Sequence, residues 1–354
     1  MCRALLQRPD SSFARRLAFF WGSRVSGRAF VLVLFLLSLR AEAIASAFSN
    51  LVVFGDSLSD NGNAAYVFQH FPSFIPPDLP APAPPLYTAG RYTNGPDVTP
   101  ATAFQGTWVE QLAGKLGVPD PMPGLPNFVD STLPPGTNLA VAGSETSAGP
   151  ANIGSMVTAY VSTQPSGLSS TSLYVLLGGG NDLFRATDPV AAAQAAVANI
   201  FQDVGLLQAA GAQHFLVPNL PDLGTTPRAV QSGEGALLSA ASLQYDQSWR
   251  AALLTARSNG LDVTGVDLYA LYQQLEATPA AFGFTNVTTP AQGQSVDPDT
   301  YLFWDILHPT TAGHSFIADA AFDALTPTPE PASVLLVTAG IAVLIVRTRR
   351  KLTQ

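Results

Sequence analysis

Residues 51–63 read "LVVFGDSLSDNGN", an apolar, β-branched run set directly against a turn of small polar residues that carries Ser57. A short apolar run bounded by turn residues reads as a buried strand. Ser57 then stands just past the carboxyl end of that strand, where open parallel sheets gather their functional groups. Three readings of this serine are open at first sight: a turn residue, a ligand in a metal loop, or a nucleophile.

Three further runs have the same character, "SLYVLLGGG", "HFLVPNL" and "LDVTGVDL". Helical patterns lie between them, notably "PVAAAQAAVANIFQDVGLLQAAGA" over residues 189–212, with proline at its start and Gly211 near its end. Alternating strands and helices of this kind predict an α/β fold, a parallel sheet with helices on both faces. Asn181 follows "LYVLLGGG" and so falls at another strand end. Residues 71–100, including "FPSFIPPDLPAPAPPLY", are too rich in proline for a core element. They read as a long surface loop, either bordering a substrate cleft or serving as an inert spacer.

With 47% hydrophobic and 12% charged residues among 354, the chain can build a real core. Charge is unevenly placed: residues 1–47 hold seven Lys/Arg, residues 330–354 hold four, and the region between holds six against twenty-two Asp/Glu. So acidic a middle excludes phosphate-backbone binding, and no nucleic-acid partner is expected. Its partners are expected to be neutral or apolar.

The basic start leads into "AFVLVLFLLSL" and then "AEA" and "ASA", the order of a secretory signal over residues 1–47. An uncleaved anchor is the alternative, but the apolar core is short for a span of about 20 residues. The one cysteine, Cys2, lies inside this leader, so an exported mature chain has no disulfide or thiolate metal site. At the other end Pro327, Pro329 and Pro331 precede an uncharged apolar stretch over 332–346 and then Arg347, Arg349, Arg350 and Lys351. Such a stretch reads as a short membrane helix with its basic flank in the cytoplasm. Between the two ends, residues 48–326 suit one domain.

A serine hydroxyl needs a neighbouring base, and histidine has the pKa for that task. Among four histidines, His70 precedes the proline-rich loop, His214 opens a predicted strand and His314 sits within the last helical pattern. His308 differs, because Asp305 in "YLFWDILHPT" lies three residues before it and can orient its imidazole. Pro309 keeps His308 out of helical conformation and can begin the helix that follows. By itself this spacing also fits a helix-capping aspartate beside a surface histidine. Acyl transfer further requires donors where negative charge develops. Gly143 in "NLAVAGSE" offers a backbone N–H open to close approach, and Asn181 in "LLGGGNDLF" offers a side-chain amide, unless Asn181 is simply a helix N-cap. As a nucleotide loop that second turn fails, since Leu183 stands where a last glycine would be needed.

In order, "FGDSLSDNGN", "NLAVAG", "GGGND" and "FWDILHPT" resemble blocks I, II, III and V of the GDSL family of lipases and esterases, the SGNH hydrolases. "GRYTNGP", "WVEQLA" and "VPNLPDLGTTP" are similar to its lipase-like branch. The resemblance implies a flavodoxin-like three-layer α/β/α sandwich and an exported serine esterase or lipase acting on carboxylic esters, with no cofactor and no metal. It implies Ser57 as nucleophile, with its own N–H, Gly143 and Asn181 forming an oxyanion hole. His308 would be general base and acid, and Asp305 its orienting partner. This chain departs from the family pattern at Ala142, Gly143 and Ser144, where Gly-Gly-Ala is common, and by about ten residues inserted over 97–106. The C-terminal tail resembles the PEP-CTERM sorting signal of Gram-negative bacteria, carried by Pro329, Glu330 and Pro331. That implies an exosortase-type processing partner, transient inner-membrane anchoring and export to the envelope or beyond.

The metal-loop reading of Ser57 fails on spacing: a calcium loop starting there would put Phe68 twelfth, where a bidentate glutamate is required. Two rival functions share the remaining features. One is an idle envelope or matrix-binding protein, and the other is an acyltransferase or polysaccharide deacetylase that uses the same residues.

Overall fold

The computed structural model describes residues 48–74, 79–98, 106–147 and 149–326. The leader expected over 1–47 and the sorting tail with its helix over 332–346 lie outside the described residues, as does most of the insertion over 97–106. In chain order the elements are β1 (Leu51–Gly55), α1 (Asn63–His70), α2 (Trp108–Leu116), α3 (Leu125–Val129), α4 (Ile153–Ser162), β2 (Leu173–Leu177), α5 (Gly180–Arg185), α6 (Pro189–Ala209), β3 (His214–Pro218), α7 (Pro227–Ser232), α8 (Gly235–Ser258), β4 (Asp262–Val266), α9 (Leu268–Ala277) and α10 (Thr311–Leu325).

All four expected strands form, and they pair in the order β1-β2-β3-β4, parallel throughout. Leu51 lies opposite Leu173, Leu173 opposite His214, and His214 opposite Asp262. Every residue of β1 and β2 is buried, which is why their sequences run apolar without alternation: both faces are covered. On one face, Phe54 meets Tyr160 of α4 edge-on at 5.6 Å, and from α8 Tyr245 Oη donates to Gly178 O (2.8 Å) and Trp249 Nε1 to Val217 O (3.0 Å). Helix α6 packs between α4 and α8 in this layer. The second layer pairs α2 with α10, where Lys115 bridges Asp319 (2.5 Å) and the Trp108 N–H donates to His314 Nδ1 (3.3 Å). The result is the three-layer α/β/α sandwich.

One segment extends the sheet that periodicity alone does not reveal. Val53 N–H donates to Thr137 O (2.8 Å), Leu139 N–H to Val53 O (2.7 Å) and Val141 N–H to Gly55 O (3.1 Å), so residues 137–141 run parallel along the outer edge of β1. Four apolar residues, "LAVA", are too few to mark a strand in the sequence. Their pairing carries Ala142 and Gly143 to the same end of the sheet as Ser57.

Helix α6 is capped by Asp188, whose side chain accepts from Ala191 N–H, with Pro189 in the first helical position. Inside that helix Asp203 is buried, and one of its carboxylate oxygens has no hydrogen-bond partner among the described residues. Burial pushes its carboxyl up to about 7. A raised native pKa means that the folded state holds this proton more tightly than the unfolded chain. Stability is therefore fully present near pH 4 and falls as pH rises towards 7. Asp203→Asn removes the charge and should raise stability at pH 8 by about 2–4 kcal/mol while changing little at pH 4. Urea melts at the two pH values check this, and an equal effect at both would reject it.

Candidate active site

The turn leaving β1 is built around Asp60, which is fully buried. Its carboxylate accepts from the N–H groups of Gly62 (2.9 Å), Asn63 (2.8 Å) and Ala64 (2.9 Å), which are otherwise orphan donors at the start of α1. A fourth bond comes from Ala142 N–H (2.8 Å), beside Gly143. Burial pushes the Asp60 carboxyl up to about 6 against the pull of these four donors. Two buried amides reinforce the link: Asn63 Nδ2 donates to Asn138 O and Ala140 O (both 2.8 Å), and Asn138 Nδ2 to Ser59 O (2.7 Å) and Asn61 Oδ1 (2.8 Å). These bonds tie the Ser57 turn and the Gly143 turn together. Gly143 then adopts φ 81°, a left-handed conformation that a side chain would strain.

Three of the residues singled out in the sequence meet directly. Ser57 Oγ lies 2.8 Å from His308 Nε2, and His308 Nδ1 lies 2.6 Å from Asp305 Oδ2. All three are buried. An ionised Asp305 can only accept, so the imidazole proton sits on Nδ1 and the Nε2 lone pair faces the Ser57 hydroxyl. Asp305 Oδ1 also accepts from the N–H groups of Leu307 (2.7 Å) and His308 (2.6 Å), turning the backbone so that acid and imidazole share one loop. Burial raises the Asp305 carboxyl, but the His308 charge and these hydrogen bonds outweigh it and hold the group below the usual carboxylate range. Beside Ser57, burial pushes the Asp56 carboxyl up to about 6, against a hydrogen bond from Leu58 N–H and the His308 charge.

Pro309 does keep His308 outside a helix, but it does not begin α10. The helix starts two residues later, with Thr310 as N-cap and its Oγ1 accepting from Gly313 N–H (3.0 Å). A threonine side chain can satisfy a free donor at the helix start, which proline cannot. Nor is Asn181 an N-cap. Gly179 holds that position at φ 112°, where an added Cβ would come within 2.6 Å of Tyr245. The Asn181 side chain instead donates through Nδ2 to Ser144 O (2.9 Å), which fixes its amide and leaves the second Nδ2 hydrogen unused by that bond. Among the described residues, neither Ser57 N–H nor Gly143 N–H donates to a protein acceptor. Arg185 donates through Nη1 to Gly143 O (2.6 Å), the carbonyl of the next peptide unit along the chain.

The other histidines are placed elsewhere. His70 stacks on Tyr66 with ring centroids 4.1 Å apart, and His214 pairs with Asp262 at 2.6 Å across β3 and β4. His314 is buried in α10, and burial first, then the His308 charge, lowers it to about 3. It is neutral and accepts from Trp108 N–H, a structural role.

Two cavities open on Ser57 and His308. One is walled largely by apolar side chains, including Leu58, Phe184, Leu220, Leu223, Phe303 and Leu307. The other includes Leu79, Tyr87, Arg185, Arg228 and Gln292. Leu79, Pro80 and Tyr87 come from the proline-rich stretch, so that stretch does border the cleft. It is more than a surface loop, however. Tyr87 and Tyr92 are buried in it, with Tyr87 Oη donating to Asp305 Oδ2 (2.7 Å) and the Tyr92 ring 5.1 Å from that of His308. Proline density conceals these anchors, because composition describes the stretch as a whole while the buried side chains, among them Tyr87, Thr88, Tyr92, Thr93, Asn94 and Val98, are scattered through it.

A serine, an imidazole and a carboxylate in hydrogen-bonded series at the carboxyl ends of a parallel sheet define the arrangement of a serine acyl-transfer site. The chain belongs to the GDSL-like lipase/acylhydrolase family, whose model matches residues 51–321. Esterase EstA of Pseudomonas aeruginosa is 31% identical over 351 residues, covering 82% of this chain and 49% of that protein. This chain thus spans about half the length of that relative. Thermolabile hemolysin of Vibrio parahaemolyticus is 25% identical over 297 residues, 77% of this chain and 62% of its own length. Phosphatidylcholine-sterol acyltransferase of Aeromonas hydrophila is 25% identical over 364 residues, 82% of this chain and 95% of its own.

Proposed function

We propose that this chain is a serine esterase or lipase that hydrolyses carboxylic esters through an acyl-enzyme, and that it is exported. The observation that carries the chemistry is the 2.8 Å contact between Ser57 Oγ and His308 Nε2, with Asp305 behind the ring. Ser57 Oγ attacks the ester carbonyl as its proton passes to Nε2, and the carbonyl oxygen takes up the charge. Ser57 N–H, Gly143 N–H and the second Asn181 Nδ2 hydrogen are the donors for that oxyanion, each worth about 10²- to 10³-fold in rate. His308 then returns the proton to the departing alcohol, leaving Ser57 acylated. Water, deprotonated by His308, releases the acid and restores the serine. Asp305 stays ionised throughout and stabilises the imidazolium. The apolar cavity suits the acyl chain, since burying each methylene contributes about 0.8 kcal/mol. Esterase EstA supports the activity by its name and its similarity.

Export rests on the leader over residues 1–47 and the tail over 327–354, which name an exosortase-type enzyme as processing partner and the membrane as a transient one. A single experiment tests both halves. The protein purified from its own cells is treated with a serine-directed fluorophosphonate and read by peptide mass spectrometry. The adduct should fall on the peptide carrying Ser57, with ester turnover lost in proportion; an unlabelled Ser57 rejects the enzyme reading. In the same spectra the mature chain should begin near Phe48, and retention of residues 347–354 rejects the sorting reading.

A further inference from the structure

The Asp305 carboxylate receives a hydrogen bond that its own loop does not supply. Oδ1 takes the N–H groups of Leu307 and His308, and Oδ2 takes His308 Nδ1, all from within three residues. The remaining donor on Oδ2 is Tyr87 Oη at 2.7 Å, 218 residues away in sequence. Tyr87 stands in the proline-rich stretch, which is pinned to the same loop at further points. Leu86 O accepts from Trp304 Nε1 (2.9 Å) and Gln292 Nε2 (2.6 Å), Thr93 Oγ1 donates to Pro309 O (2.9 Å), and Thr311 N–H donates to Asn94 Oδ1 (2.7 Å). The Tyr87 ring packs on Tyr92 at 5.3 Å, and Tyr92 in turn lies against the His308 ring.

These contacts do different things. The backbone bonds hold one end of the carboxylate, but rotation about the Asp305 Cβ–Cγ bond is broad and its energy well is shallow. Tyr87 closes the other end, so that Oδ2 keeps its lone pair on His308 Nδ1. Its own phenol stays protonated, since burial and the Asp305 charge both raise its pKa. A hydrogen bond to a buried carboxylate is among the stronger ones available to a neutral donor.

We propose that Tyr87 is a positioning residue for the ester chemistry: by donating to Asp305 Oδ2 it fixes the carboxylate that orients His308, and so couples the docking of the proline-rich stretch to the competence of Ser57. The proposal rests on the reading of Ser57, His308 and Asp305 as one acyl-transfer unit. It places the control of the base in a segment that also forms a wall of the substrate cleft.

The test is Tyr87→Phe, which removes one oxygen and keeps the ring against Tyr92. On a small soluble nitrophenyl ester kcat should fall about tenfold with KM within twofold, because orientation acts on the chemical step and not on binding. In an Asp305→Ala background, or Asp305→Asn should the alanine chain fail to fold, the same substitution should cost less than twofold, its partner being absent. Wild-type kcat in Tyr87→Phe overturns the proposal. So does an equal tenfold loss in both backgrounds, which would mark a purely structural tyrosine. A Ser57→Ala control separates the levels: if that variant keeps its turnover, the acyl-transfer reading itself has failed, whatever Tyr87 does.

Discussion

Ser57→Ala should lower kcat for ester hydrolysis by about 10⁴- to 10⁶-fold while the protein remains folded. The size follows from what is lost: among the described residues no other hydroxyl shares the His308 Nε2 lone pair, and a triad without its nucleophile retains only binding and oxyanion stabilisation. Stability should barely change, because the substitution removes one oxygen from a side chain whose hydrogen-bond partner among the described residues is His308, and catalytic polar groups are seldom placed for stability. Hydrolysis of a short-chain nitrophenyl ester, followed beside a thermal melt, gives both numbers. Activity within tenfold of wild type would mean that the nucleophile is another group. A melting point lowered by more than about 5 °C would mean that the turn itself had collapsed, and the buried Asp60 network would then be the place to look.

The second large effect is expected at His308. Its alanine variant loses the proton acceptor outright, and kcat should again fall by about 10⁴- to 10⁶-fold. Asp305→Ala should be milder, about 10²- to 10⁴-fold, because the imidazole still faces Ser57 and part of its orientation survives through the Tyr92 ring and the Trp304 N–H to His308 O bond (2.8 Å). The two variants also differ in folding cost. Removing His308 leaves Asp305 buried with its two backbone donors and Tyr87, so its charge stays solvated by hydrogen bonds. Because Asp305 is held below the usual carboxylate range, its contribution to stability is present at neutral pH and is lost only as pH falls through its depressed native pKa. In His308→Ala the imidazole charge that helps depress that pKa is gone, so acid denaturation should begin at higher pH. Equal kinetic losses in the two variants would reject the division of labour between base and orienting acid.

The strands were readable because a parallel strand covered on both faces must be apolar at every position, and "LVVF" and "LYVLL" state that locally. Ser57 and Asn181 were readable because they directly follow such runs. Asp305 and His308 lie three residues apart on one loop, so their contact is nearly a property of the motif. By contrast, residues 137–141 pair through backbone groups along an edge, and backbone pairing leaves little trace in four residues. Asp60 looked like one more turn residue. Its role as acceptor for Ala142 N–H depends on a partner 82 positions away. Asn63 and Asn138 join the same network across 75 residues.

Periodicity and turn chemistry act between neighbours along the chain, so they sufficed to specify an α/β domain, its strand ends and the side chains standing there. Which of those side chains meet depends on the direction and register that packing imposes on whole elements. Ser57 faces His308 across 251 residues, and Tyr87 reaches Asp305 across 218, only because the strand edge, the proline-rich stretch and the loop before α10 are pressed together around a common buried cluster. Local pattern named Ser57, Asn181, Asp305 and His308 but not Tyr87, and burial of polar groups that had to find partners decided the arrangement.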